Sequence, residues 1–312
     1  MEIPSVDLAD FISSDKSLKN NFVQSLGKAY EEIGFVAVKN HGIPDDFIAN
    51  LYRYVQEFFS LPLDHKKRYE VEGLAGQRGY TSFGKEHAKG SDAPDLKEFF
   101  QYGQLSSSMN EIVYPDNVQV NEIPGFNTVF DNAFIAFENS GKILLRAISI
   151  YLGLEETYFD GFIDNGNSIL RSIHYPPITI EPASAIRAEE HEDINLITLL
   201  VGASAEGLEI LTKQNEWVPV TALTEQIVIN VGDMLQRFTN NKLRSTTHRV
   251  VNPRRELWHT SRFSIPFFMH PKSTMSLISL ESCINSTHPK AYTDATAGEY
   301  LDERLREIGL KK

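Results

Sequence analysis

The sequence predicts a helical layer packed on a mostly antiparallel β-barrel or sandwich, and three observations carry that expectation. Through the first 165 residues, apolar side chains recur at helical spacing. From about residue 166 the apolar period shortens to two. No helical stretch of usable length interrupts the later strands, which removes βαβ crossovers and leaves antiparallel pairing. The whole chain of 312 residues reads as one unit. Within it, 1–165 is a helix-rich region, 166–275 a strand-rich core and 276–312 a tail with a helix. No repeat or Gly/Ser linker breaks the sequence.

The elements follow in order. Leu18, Phe22, Leu26, Ala29 and Ile33 mark a first helix that Gly34 ends. The run 34–40 (GFVAVKN) reads as a short apolar strand. A helix after Pro44 carries Phe47, Leu51, Tyr54 and Phe58 on one face. A longer one runs from Phe126 to Tyr151. Between them, 73–94 holds glycines at 73, 76, 79, 84 and 90 and reads as a long loop, a candidate lid. Strands are expected at 168–175, 195–202, 208–213, 227–233, 248–251 and 261–268, with a last helix over about 298–310.

Composition narrows the function. The chain carries 30 Lys+Arg against 42 Asp+Glu, a net charge of −12, which opposes a phosphate backbone and speaks against nucleic acid as a partner. The single Cys forms no internal disulfide, which fits a reducing compartment. No apolar run reaches the length of a membrane span, and the first residues are acidic where a signal peptide is basic. The expectation is a cytoplasmic protein acting on a small molecule, with no membrane partner.

A few residues could carry chemistry. His191 and Asp193 stand at i and i+2, so on extended backbone an imidazole and a carboxylate leave the same face. A third ligand, His248, stands at the start of an apolar strand; read alone, it serves equally well as a structural histidine. Together the three would form a two-His, one-carboxylate face that leaves metal positions open and suits non-haem Fe(II). The histidines at 41, 65, 87, 174, 259, 270 and 288 lack such a partner. Arg262 and Ser264 repeat the i, i+2 spacing, and a guanidinium fork facing inward matches a carboxylate; the alternative is a rim arginine paired with surface acids.

In combination these residues resemble the isopenicillin N synthase-like branch of the 2-oxoglutarate- and Fe(II)-dependent dioxygenases. The likeness runs nearly end to end. IPSVDL at 3–8, GFVAVKNHGIP at 34–44, FFSLPLDHKK at 58–67, RGY at 78–80 and DLKEFF at 95–100 match its first half. HYP at 174–176, HED at 191–193, NVGDMLQRFTN at 230–240, STTHRVVNP at 245–253 and RFS at 262–264 match its catalytic half.

The resemblance implies a double-stranded β-helix, a squashed jelly-roll barrel wrapped by N-terminal and C-terminal helices. It implies Fe(II) on His191, Asp193 and His248, which would also be the catalytic set. Arg262 and Ser264 match the pair that holds the distal carboxylate of 2-oxoglutarate, and Tyr175 matches a tyrosine that supports the same co-substrate. Where the family often has Asn two residues before this Tyr, the chain has Ile173. The activity implied is hydroxylation, desaturation or cyclisation of a small organic substrate with O₂, releasing succinate and CO₂. The alternative is an oxidase of the same fold that takes no 2-oxoglutarate, as isopenicillin N synthase does. Arg171 shares a strand face with Ile173 and Tyr175 and is a candidate substrate contact. Arg78, Tyr80, Gln236 and Phe238 fall in segments that line the pocket in relatives.

Overall fold

The computed structural model describes residues 3–74, 76–86, 94–105, 114–182, 185–201, 207–220 and 225–307. Its core is a pair of facing sheets. The larger has eight strands: β1 (Ser5–Asp7), β2 (Phe35–Lys39), β3 (Gly79–Thr81), β4 (Glu98–Gly103), β5 (Ile169–Tyr175), β7 (Ile197–Val201), β10 (Ile227–Val231) and β12 (Arg262–Met269). They are ordered β1-β2-β10-β7-β12-β5-β4-β3. The smaller has four, β6 (Ala188–His191), β8 (Leu208–Leu211), β9 (Trp217–Pro219) and β11 (His248–Val250), ordered β6-β11-β8-β9. Every pairing is antiparallel except β1 with β2, which is parallel.

The period of two in the sequence is the reason the sheet can serve two cores. On β12, Ile265, Phe267 and Met269 face the helices while Arg262, Ser264, Pro266 and Phe268 face the smaller sheet. On β5, Leu170 joins the helix side; Ile173 and Tyr175 join the core between the sheets. The helix side is the larger core. Its centre is the 26-residue helix α5 (Phe126–Tyr151), whose Phe134 and Phe137 meet Phe267 at 5.2 and 5.5 Å between ring centroids. The helices α2 (Lys16–Glu32) and α3 (Asp45–Phe59) complete the layer. Gly34 ends α2 at φ +79°, a left-handed turn that also brings its Cα against the Arg244 carbonyl and leaves no room for a Cβ.

Several elements go beyond the sequence reading. The helix-rich first region supplies four strands, β1 to β4, to the larger sheet. The segment expected as one long loop contains β3; its residues 75 and 87–93 lie outside the described residues, so the lid reading is not addressed. The short helices α1 (Leu8–Ile12), α4 (Leu63–Lys67), α6 (Asp160–Ile163) and α7 (Asp233–Phe238) are additions to the expected set. The last helix, α8, spans Ala297–Glu307, against the expected 298–310; residues 308–312 lie outside the described set.

Candidate active site

The two sheets enclose a cavity of about 570 Å³, closed at one end by α8 through Tyr300, Leu301 and Arg304. His191 ends β6 and His248 begins β11; the two strands pair so that these residues stand directly opposite one another. Their rings lie 4.4 Å apart. Asp193 follows two residues after His191, and its Oδ1 lies 4.0 Å from His191 Nε2 and 3.7 Å from His248 Nε2. One ligand atom from each of the three falls within 4.8 Å of the others.

Each of these side chains is oriented by a second contact. His191 Nδ1 faces the Glu189 carbonyl at 2.6 Å, and His248 Nδ1 faces the Thr246 carbonyl at 3.1 Å. A carbonyl can only accept, so both Nδ1 atoms carry the proton and both Nε2 lone pairs point inward, as metal ligation requires. Asp193 Oδ2 accepts from Thr198 Oγ1 at 2.6 Å and Asn230 Nδ2 at 2.8 Å, leaving Oδ1 toward the imidazoles. Burial alone would raise the Asp193 carboxyl. The two histidines and these two donors outweigh it and hold the group below the usual carboxylate range. Burial, and then His248, hold His191 down to about 4. Two imidazole nitrogens beside a carboxylate form a donor set that fits Fe(II).

The turn that presents Asp193 is pinned by backbone. Asp233 N–H donates to the Asp193 carbonyl at 2.9 Å and Met234 N–H to the Asn195 carbonyl at 3.1 Å. A Cβ at Gly232 would run into Asn195, so the close approach needs glycine there. Outside the turn, Asp95 Oδ1 accepts the Glu189 N–H at 3.0 Å and so holds the outer edge of β6.

Deeper in the cavity, Arg262 and Tyr175 are direct cross-strand partners, and Ser264 pairs with Ile173. The Arg262 guanidinium lies 4.9 Å from the Tyr175 ring centroid, and Arg187 lies 5.8 Å from the same ring. Arg262 is buried, with Nε and Nη1 unpartnered; Arg187 Nε is also buried and unpartnered. Burial, and then Arg262, lower the Arg187 pKa. Neither arginine has an ion-pair partner among the described residues. Two buried guanidiniums without a counter-ion form a site for an anion, and their donors fit a carboxylate. Sequence reading finds Arg262 but not Arg187, whose neighbours offer no spacing signal.

The substrate candidates divide. Arg171 lines the cavity, with Nη1 3.2 Å from Glu86 Oε1 and Nε donating to Gln101 Oε1 at 3.1 Å. Gln236 also lines it, and its Oε1 accepts the Ser245 N–H at 2.8 Å. Arg78, Tyr80 and Phe238 are not in the lining. Arg78 is fully buried behind β4 and donates to the Gln77 and Pro115 carbonyls. Tyr80 donates to Glu98, whose carboxylate also takes Lys66 and His174. Phe238 packs on Tyr158 and Phe159 in the helix-side core. Tyr80 is on the far side of the sheet because strand alternation turns it there, and Phe238 because it joins the helix-side core; the Arg78 guanidinium instead packs over Gly103 at the end of β4. The charged wall of Glu86, Lys97 and Asp95 has no counterpart in the sequence reading: it comes from loop and strand-entry residues that meet only in the fold.

Comparison with known proteins gives the same result from two directions. Residues 3–124 match the model of the non-haem dioxygenase in morphine synthesis N-terminal region, and residues 166–271 match that of the 2OG-Fe(II) oxygenase superfamily. A proline hydroxylase, buaE, of Petromyces alliaceus is 32% identical over 98% of this chain and 99% of its own. A 2-oxoglutarate-dependent dioxygenase, ecdK, of Aspergillus rugulosus is 29% identical over 97% and 98%. Among solved structures, a 2OG-Fe(II) oxygenase family protein of Caulobacter crescentus superposes with a TM-score of 0.88 at 39% identity, covering 98% of this chain and 99% of that one. A full-length Neurospora crassa protein, solved in complex with alpha-KG and thymine, gives 0.87 at 29% identity, covering 97% and 96%.

Proposed function

The chain belongs to the 2OG-Fe(II) oxygenase superfamily and is a 2-oxoglutarate- and Fe(II)-dependent dioxygenase, and from that premise we propose which residues perform each part of the reaction. His191, Asp193 and His248 hold the metal, the imidazoles through Nε2 and the carboxylate through Oδ1. Bound there, Fe(II) supplies the dioxygen chemistry that couples conversion of 2-oxoglutarate to succinate and CO₂ with oxidation of a small organic substrate. Arg262, with Ser264 and Tyr175, clamps the distal carboxylate of 2-oxoglutarate, and Arg187 adds positive potential behind the Tyr175 ring. Thr198 and Asn230 keep Asp193 ionised and aimed. Arg171 and Gln236 face the primary substrate. The apolar residues between the sheets and α8 at the mouth keep water from the reacting centre.

A cytoplasmic setting belongs to the same reading: the chain's one thiol, Cys283, is free and buried, and Fe(II) persists where thiols stay reduced. Among the described residues no helix is long and apolar enough to cross a membrane.

The observation that carries the co-substrate assignment is the buried Arg262 fork with two unpartnered nitrogens. Anaerobic addition of 2-oxoglutarate to the Fe(II) protein is expected to give the visible charge-transfer band of a chelated 2-oxo acid. Arg262→Lys should weaken that binding roughly ten- to hundredfold, because an ammonium cannot reproduce the planar two-point contact. An unchanged affinity in the Lys variant would overturn the role given to Arg262.

A further inference from the structure

The cavity face of β12 is sorted by chemistry along its length. Arg262 and Ser264 stand at one end, Pro266 and Phe268 in the middle, and His270, one residue beyond the strand, continues the alternation at the other. His270 lies six positions beyond Ser264, about 20 Å at roughly 3.3 Å per residue. A five-carbon dicarboxylate clamped by Arg262 and Ser264 does not span that distance.

His270 is 7% exposed. Its backbone is satisfied: N–H donates to Ser168 Oγ at 3.2 Å, and the carbonyl accepts from the same hydroxyl at 3.3 Å. Its imidazole is not. Nδ1 is buried without a partner, in a protein where buried polar atoms are normally paired. Burial holds the ring down to about 4 against the pull of Asp193, with Arg171 adding to the lowering, so the imidazole is neutral at physiological pH. A neutral imidazole offers one N–H and one lone pair.

Arg171, Lys97 and Asp233 on its walls each have an opposite charge beside them. Arg171 is matched by Glu86, and Lys97 lies between Glu86 and Asp95 at 2.7 Å each. On the facing wall, Asp233 Oδ2 accepts the Tyr300 hydroxyl at 2.9 Å and lies 3.5 Å from Arg304 Nε, while Oδ1 is buried without a hydrogen-bond partner. An isolated carboxylate or ammonium entering here would lose its hydration without gaining a counter-ion.

We propose that this chamber is the primary-substrate subsite, that His270 contacts the substrate, and that it reads an uncharged amide-type edge, an N–H beside a C=O. The proposal rests on the co-substrate assignment above, since it takes the opposite end of β12 to be filled by 2-oxoglutarate. It is tested on Fe(II) protein loaded with 2-oxoglutarate under anaerobic conditions, by calorimetric titration with 2-piperidone and glutarimide against the zwitterion pipecolate, which has the same ring size. The neutral rings should bind and pipecolate should not. His270→Leu should weaken the neutral probes about tenfold while 2-oxoglutarate affinity stays within about twofold. His270→Gln keeps a donor and an acceptor and should recover part of the loss. On admission of air, the neutral probes should raise succinate formation. Tighter binding of pipecolate, unchanged probe affinity in His270→Leu, or no binding of either neutral ring to protein that binds 2-oxoglutarate would overturn the proposal. Failure of the wild-type protein to bind 2-oxoglutarate would be a different result: it removes the co-substrate assignment and this proposal with it.

Discussion

The two sheets divide the work unequally. The larger is backed by α5 and its neighbours and contributes most of the helix-side core, whereas the strands of the smaller sheet enter only the core between the sheets. Yet both histidines of the proposed metal site lie on the smaller sheet. They are not equally supported. His248 is on β11, which has a strand on either side, and its side chain is 10% exposed; His191 ends the edge strand β6 and is 36% exposed. What compensates is cross-sheet contact. Phe35 of β2 meets the His248 ring edge-on at 5.6 Å, Thr198 and Asn230 hold Asp193, and Asp95 holds the β6 backbone beside His191. A metal held there would draw its support from the thick sheet.

That comparison can be broken in order of expected effect. Asp193→Ala removes the carboxylate that both histidines face; the folded variant should fail to retain Fe(II) in competition with a chelator, with far-UV circular dichroism unchanged. Phe267→Ala empties the contact between β12 and α5 and should cost about 3–5 kcal/mol in denaturant unfolding. If the thick sheet acts as a rigid backing, metal affinity of the still-folded fraction stays close to wild type; a parallel fall would mean that the two cores are not separable.

The pH dependence of stability tests the buried imidazole on the larger sheet. His270 is held down to about 4, against 6.5 for the unfolded chain. Between those values the unfolded state binds the proton and the folded state does not, so stability rises with pH across the window and is lost as pH falls below 6.5. The contribution is on the order of 3 kcal/mol at most. His270→Leu should flatten that part of the profile measured on metal-free protein, and an unchanged slope would show that the ring does not resist protonation. The smallest effect belongs to Asp95→Ala. Loss of the grip on the Glu189 N–H should lower metal affinity ten- to hundredfold, with little change in the unfolding midpoint. An Asp95→Ala protein that binds Fe(II) as tightly as wild type would show that β6 needs no outside support.

How much of this is legible in the sequence follows from what each feature depends on. The helices around Phe22, Phe47 and Phe134 and the six main strands are readable because their periodicity is local. That His191, Asp193, His248, Arg262 and Ser264 line one cavity is readable because i, i+2 spacing fixes which face a side chain leaves from, and because the ordered segments around them resemble a known family. Arg187 and Asp95 are not, since their contacts lie 73 and 94 positions away, and Lys97 gains its place only when the loop residue Glu86 folds against it. His270 falls among the unpaired histidines for the same reason: its meaning is the absence of a partner in space, which no spacing reveals. Arg78 and Tyr80 err in the opposite direction. Their segment matches relatives, but β3 pairs with β4 so that Tyr80, opposite Phe100, faces away from the cavity, and Arg78, just before the strand, lays its guanidinium over Gly103.

The edges of the sheets carry one more consequence. Both outer strands of the eight-stranded sheet, β1 and β3, are three residues long, and the outer strand of the smaller sheet on the side away from His191 ends in Pro219. A strand of three residues offers another chain few free backbone donors and acceptors, and proline offers no donor at all. A broad sheet rich in Val, Ile and Phe would otherwise be a template for growth by strand addition. Ending it in stubs lets the protein keep an extended, greasy scaffold without inviting its own copies to continue it.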